Sequence, residues 1–229
     1  MKDKNVRNND MTSELFISSR VNTEFCIPPY SKEDYLKKLE SETNADEKTK
    51  SLEALIQIYR SKTVKNGGKY SNAVCGKMIS ILHKHGLNPA LTERVACMLL
   101  KEGAYCEKLR DYQNALRFYE SSLPFDLKAQ ESRYFRLNNL AFCLNFLRRF
   151  EEAETFLRSA VEIEPLFYNA WKNLGVSLEH QGQFEESAEC YLKAITLSDG
   201  EERSVKHLIR LVERYPVLEK VPAVTEFFK

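Results

Sequence analysis

The sequence predicts an all-α fold built as a stack of antiparallel helix pairs, and three observations carry that prediction. The chain aligns on itself at a fixed period. Apolar residues recur at helical spacing ahead of each aligned segment. Only 8 Gly and 7 Pro occur in 229 residues, too few for a turn-rich sheet protein.

The period comes first, because internal repetition decides the whole architecture. Phe150, Ala153, Leu157 and Ala160 recur as Phe184, Ser187, Tyr191 and Ala194, at an offset of 34 residues. A further copy lies upstream as Tyr112, Ala115, Tyr119 and Ser122, 38 residues before the middle one. The surplus of four fits a longer loop at 124–128. Ahead of each copy runs a second stripe at i, i+3, i+4 and i+7. It reads Leu99, Glu102, Gly103, Cys106, then Leu137, Leu140, Ala141, Leu144, then Trp171, Leu174, Gly175, Leu178. The third site of each stripe is small, which lets two helices approach closely. Gly182 marks the reversal between the helices of the last copy, and Pro165 stops the second helix of the middle one.

This pattern resembles the tetratricopeptide repeat, whose signature runs W-x2-L-G-x2-Y, then A-x3-F, then P. Trp171, Leu174, Gly175, Leu178, Gly182, Phe184, Tyr191 and Ala194 carry the strongest match. The copy at 134–167 has Leu137 for the tryptophan and Pro165 at the closing proline. The copy at 96–129 departs further, with Glu102 at an apolar position and Arg110 in place of the turn glycine. The resemblance implies a right-handed superhelical stack whose first helices line a concave groove. Trp171, Phe150, Phe184 and Tyr191 are then packing residues rather than a ligand box.

Around the three repeats (96–129, 134–167 and 168–201) the chain divides into an extended or disordered segment at 1–30, an N-terminal helical region at 31–95, and a capping helix with tail at 202–229. Ser31, with Asp34 three residues on, caps a helix that runs to Ser41. The polar run 42–48 reads as a linker. Leu52, Leu55, Ile56 and Tyr59, then Val74, Met78, Ile79 and Leu82, mark two further helices joined by a loop at 65–69. Val205, Leu208, Ile209 and Val212 repeat the first-helix stripe, and Glu202, Lys206 and Arg210 supply the polar outer side of a terminal unit.

Net charge is +1, so neither nucleic acid nor an anionic membrane is an expected partner. No stretch reaches the roughly 20 apolar residues of a membrane span, and the polar N-terminus lacks a signal-peptide core. A cytoplasmic protein is expected. The 6 cysteines are scattered without C-x-x-C spacing, which reads as reduced core thiols and not as metal ligands. No phosphate-cradling loop, nucleophile elbow or paired-ligand motif occurs. Catalysis, cofactor and metal are therefore not expected.

Family geometry implies that positions 2, 5, 6, 9, 12 and 13 of a repeat face the groove. The middle copy places Phe135, Asn138, Asn139, Phe142, Asn145 and Phe146 there; the third places Asn169, Lys172, Asn173, Val176, Glu179 and His180. Asn139 and Asn173 are 34 residues apart, and in relatives an asparagine at this position forms a ladder along an extended peptide. A side-chain amide suits that role because it both donates and accepts. The family's carboxylate clamp for chaperone tails is not expected. Leu100, Ala104, Asn169 and Asn173 stand where its other ligands belong, and only Asn139 fits. Arg203, His207 and Arg210 lie at i, i+4 and i+7 on the capping helix, and with Lys172 they make a basic face suited to an acidic peptide.

The expected function is a protein- or peptide-binding adaptor or chaperone-like module; a structural subunit docked through its convex face or terminal helices is the alternative. Two readings of 1–30 stay open, since Phe16, Ile17, Phe25 and Ile27 beside Pro28 and Pro29 suit either a groove ligand in cis or a plain tail.

Overall fold

A computed structural model describes residues 30–63 and 69–229. The expectations for 1–29, Cys26 among them, and for the loop at 65–68 lie outside the described residues. The described residues fold as helices without a strand among them. Those up to Lys128 form one compact unit and those from Ala129 another.

The first unit holds α1 (Lys32–Ser41), α2 (Ala45–Thr63), α3 (Asn72–Gly86), α4 (Thr92–Lys108) and α5 (Tyr112–Ser122). Helix α1 starts on a capping box, in which Ser31 Oγ accepts from the Asp34 amide while the Asp34 carboxylate accepts from the Ser31 amide. Helix α2 begins well before Ser51, so the expected linker shrinks to 42–44. The reason is a local cap: Asn44 Oδ1 accepts from the amides of Asp46 and Glu47 at 2.8 and 3.2 Å, and both acids favour the positive end of the helix.

Glu102 lies at an apolar position of α4 and is only 2% exposed. It is satisfied from outside the repeat pattern. Arg60 of α2 donates Nε–H to Oε2 at 3.1 Å and Nη2–H to Oε1 at 2.5 Å, and the Tyr70 hydroxyl donates to Oε2 at 2.6 Å. A buried carboxylate persists only with partners of this kind.

The second unit holds α6 (Gln130–Phe146), α7 (Phe150–Ile163), α8 (Tyr168–His180), α9 (Phe184–Ser198) and α10 (Glu202–Arg214). A 3-10 turn (Pro216–Lys220) and α11 (Pro222–Phe227) follow. Helices α6 and α7 form one hairpin, α8 and α9 the next, and α7 packs on α8 between them. Helix α10 closes the stack by burying Leu208, Leu211 and Val212 with Ala188, Tyr191 and Ile195 of α9, while Leu218 and Val224 complete the cluster.

The hairpin reversals share one backbone solution. Arg110, Arg148 and Gly182 all adopt positive φ, at 56°, 62° and 79°. In each, the next residue's amide returns to a carbonyl five residues back: Asp111 to Cys106, Arg149 to Leu144 and Gln183 to Leu178, each at 2.9 Å. Two arginines thus hold a conformation that glycine adopts without strain.

Tyr191 is fully buried, as a packing residue should be. Trp171 is half-buried instead, and its Nε1–H donates to the Pro165 carbonyl at 2.8 Å, tying α8 to the loop before it. Phe150 stacks on His180 at 4.3 Å and Phe184 on Tyr215 at 3.8 Å. The described cysteines are free thiols. Burial pushes Cys75 up to about 11 and Cys190 up to about 12, so both stay protonated and unreactive near neutral pH. No helix among the described residues is long and apolar enough to cross a membrane.

Candidate peptide-binding face

The first helices of the second unit, α6 and α8, together with α10, share one face. Its polar residues divide into those turned inward and those left accessible. Asn173 Nδ2 donates to Asn138 Oδ1 at 3.0 Å, and Asn138 Nδ2 donates to Asn139 Oδ1 at 3.0 Å. Asn145 Nδ2 donates to the Asn173 carbonyl at 3.0 Å, and its Oδ1 accepts from Ser177 Oγ at 2.8 Å. This relay staples α6 to α8.

Asn138 and Asn173 are therefore each only 7% exposed. Asn139 and Asn173 are not equivalent rungs of a ladder. Asn173 spends its donor amide on Asn138, because the spacing that stacks the two helices also brings that pair within bonding distance. Lys172 is likewise buried, at 8% exposed. Its Nζ donates to Asn169 Oδ1 at 2.8 Å, lies 5.4 Å from the Tyr168 ring centre and stands 3.9 Å from Glu201. Asn169 is half-buried beside it.

The aromatic residues divide too. Phe135 is half-buried in a cluster with Tyr134 and Phe167, its ring centre 5.3 and 6.2 Å from theirs. Phe142 is half-buried and meets Phe146 edge-on at 4.9 Å, while Phe146 itself is 53% exposed. The amide of Asn139 is half-buried on the same helix.

On α10, Arg203 and Arg210 are exposed and His207 is half-buried, stacked on Tyr191 at 5.1 Å with the planes 18° apart. Burial, with Arg210 adding to it, holds the His207 imidazole below its ordinary value and so favours the neutral ring. Glu201 was not foreseen as a member of this face. Its Oε2 caps α10 by accepting from the Ser204 amide at 2.7 Å, and its Oε1 lies 3.4 Å from Arg203. The one hint in the sequence was a carboxylate just ahead of an amphipathic stripe.

Stacked helix hairpins whose first helices present one mixed polar and aromatic face define an α-helical repeat protein. Models of the tetratricopeptide repeat match residues 136–165 and 168–199, so these stretches are tetratricopeptide repeats. Human tetratricopeptide repeat protein 7B is 31% identical over 100 residues, which are 44% of this chain and 11% of that protein. The mouse protein of the same name is 36% identical over 61 residues, 27% of this chain and 7% of its own. The chain thus spans about a tenth of the length of the curated relatives it matches. Among solved structures, a MamA RS-1 double mutant and MamA 41-end from Desulfovibrio magneticus RS-1 align with TM-scores of 0.53 and 0.51, each at 19% identity. They cover 80% and 75% of this chain and 96% and 90% of their own, a likeness of fold.

Proposed function

We propose that the chain is a non-catalytic binding module that takes up an extended segment of another protein along the face of α6, α8 and α10, in an adaptor or chaperone-like role. The observation that supports this most is Phe146, a large ring 53% exposed at the end of a helix that buries Tyr134, Leu140, Cys143 and Leu144. Beside it stand Phe142 and the amide of Asn139. A ring suits one apolar side chain of an extended peptide and an amide suits its backbone, the two kinds of contact that fix register and affinity.

Peptides selected from a displayed random library on the full chain provide the test. Phe146→Ala combined with Asn139→Ala should weaken the selected peptides at least about tenfold, from one lost apolar anchor and a hydrogen bond worth about 0.5–1.5 kcal/mol. The helical circular dichroism signal should persist and the melting temperature fall only modestly, because the Asn138 amide loses its Asn139 acceptor. Selected peptides that bind the double variant as well as the parent would remove this face from consideration. A structural subunit docked through its end is the second reading, supported by the exposure of Val217 (64%), Phe228 (50%) and Phe227 (38%) on the terminal elements.

A further inference from the structure

The cations of α10 are equivalent by sequence, but their surroundings separate them. Glu201, whose side chain is 12% exposed, serves both Lys172 and Arg203. Lys206 pairs with Glu202 one turn back. Arg214 lies over the Tyr215 ring at 5.4 Å. Arg210 is exposed and makes no ion pair among the described residues, yet its guanidinium is held. Nε–H donates to the Lys206 carbonyl at 3.3 Å and Nη2–H donates to His207 Nδ1 at 3.0 Å. A guanidinium can only donate, so Nδ1 presents its lone pair, as a neutral imidazole allows. The imidazole is itself fixed by stacking on Tyr191, whose hydroxyl donates to Glu179 at 2.7 Å. The arginine has thus already lost much of its rotamer freedom, while Nη1 is bonded to no described residue.

We propose that Arg210, positioned by His207, is the residue of this face that reads a carboxylate on the bound protein segment. The inference rests on the binding role proposed above and adds the chemistry of the partner. A planar fork with unspent N–H groups matches a carboxylate in a way that an ammonium does not. The surroundings favour a single carboxylate over a polyanion, because residues 129–229 carry 13 Lys and Arg against 16 Asp and Glu. The net negative charge of this unit disfavours a nucleic acid.

The experiment uses the full chain and a fluorescein-labelled hexapeptide alternating Leu with Asp and Glu, with its Asn and Gln counterpart and a C-terminally amidated form of each. The parent protein should bind the acidic peptide about tenfold tighter than the amide counterpart, the scale of one charge-assisted fork. Arg210→Ala should abolish that preference and leave affinity for the counterpart unchanged, while Arg210→Lys should keep less than a third of it. Arg203→Ala, which removes a cation already served by Glu201, should keep all of it. The preference should survive C-terminal amidation, because the two peptides share one terminus and differ only in their side chains. An absent preference in the parent, an undiminished one in Arg210→Ala, or an Arg210-dependent preference for a DNA duplex over the acidic peptide overturns it. Phe146→Ala separates the two readings. If it weakens both peptides while Arg210→Ala changes neither, the binding face stands and the carboxylate reader falls. If neither variant changes either peptide, both fall.

Discussion

The hairpins α4–α5 and α8–α9 solve a packing problem one way, and α6–α7 solves it another. In the first two, a glycine meets a tyrosine ring so closely that a β-carbon at Gly103 or Gly175 would lie 2.6 Å from Cε1 of Tyr119 or Tyr191. Each tyrosine hydroxyl then donates to a glutamate one turn after the glycine, to Glu107 at 2.9 Å and to Glu179 at 2.7 Å. Burial pushes the Glu107 carboxyl up to about 7. In α6–α7 the same three positions are Ala141, Leu157 and Asn145, the first two fully buried. With no hydroxyl to satisfy, Asn145 turns outward to α8 and joins its helix to the next repeat. The three positions behave as one choice: volume at the first sets the ring at the second, and the polar tip of that ring sets the acceptor at the third. A further difference separates α4 from its counterparts, for Glu102 takes the place of Leu140 and Leu174 and is held by the half-buried Arg60 and the buried Tyr70.

The largest expected effect breaks that last difference. Arg60→Met leaves Glu102 buried with one partner fewer and should lose about 3–5 kcal/mol in urea unfolding. Pairing it with Glu102→Leu, the residue of the other hairpins, should recover most of the loss. An equal loss in the pair would show that Arg60 acts through packing alone. Next in size, Gly175→Ala forces a β-carbon against Tyr191 and should lose about 1–3 kcal/mol. Adding Tyr191→Leu copies the Ala141 and Leu157 arrangement, and the double variant should be more stable than the two separate losses sum to; strict additivity would show that the positions are independent. The smallest effect sharpens the reversals. Arg148→Gly relieves a left-handed arginine and should gain about 0.5 kcal/mol, the residue of a 1–2 kcal/mol strain less the extra chain entropy of glycine. A lower melting temperature for that variant would mean that the Arg148 side chain stabilises the turn by more than the strain costs.

The repeat period, the helix pairs, the Ser31 cap and the turn at Gly182 were legible from residues alone. They depend on neighbours within a turn or two, or on a self-alignment that needs no coordinates. Reversals at Arg110 and Arg148 were not legible by residue type, because hydrogen bonds across the turn over-determine a conformation that arginine does not prefer. The candidate face was legible in outline but not in its accounting. Asn138 and Asn139 are adjacent and chemically identical; yet the first is enclosed by the bond from Asn173 and the second keeps part of its surface.

What the sequence by itself determined is the pairing of helices into repeats and the apolar stripe along each first helix. Those follow from 3.6-residue periodicity and a 34-residue offset. Only the tertiary structure decided which polar groups are spent internally and which remain for a partner. Asn173 on Asn138, Asn145 on Asn173 and Arg60 on Glu102 join residues 28–42 positions apart, at separations of 2.5–3.1 Å. A hydrogen bond is made or lost over a few tenths of an ångström, a precision set by how whole helices pack and by nothing that adjacent residues encode.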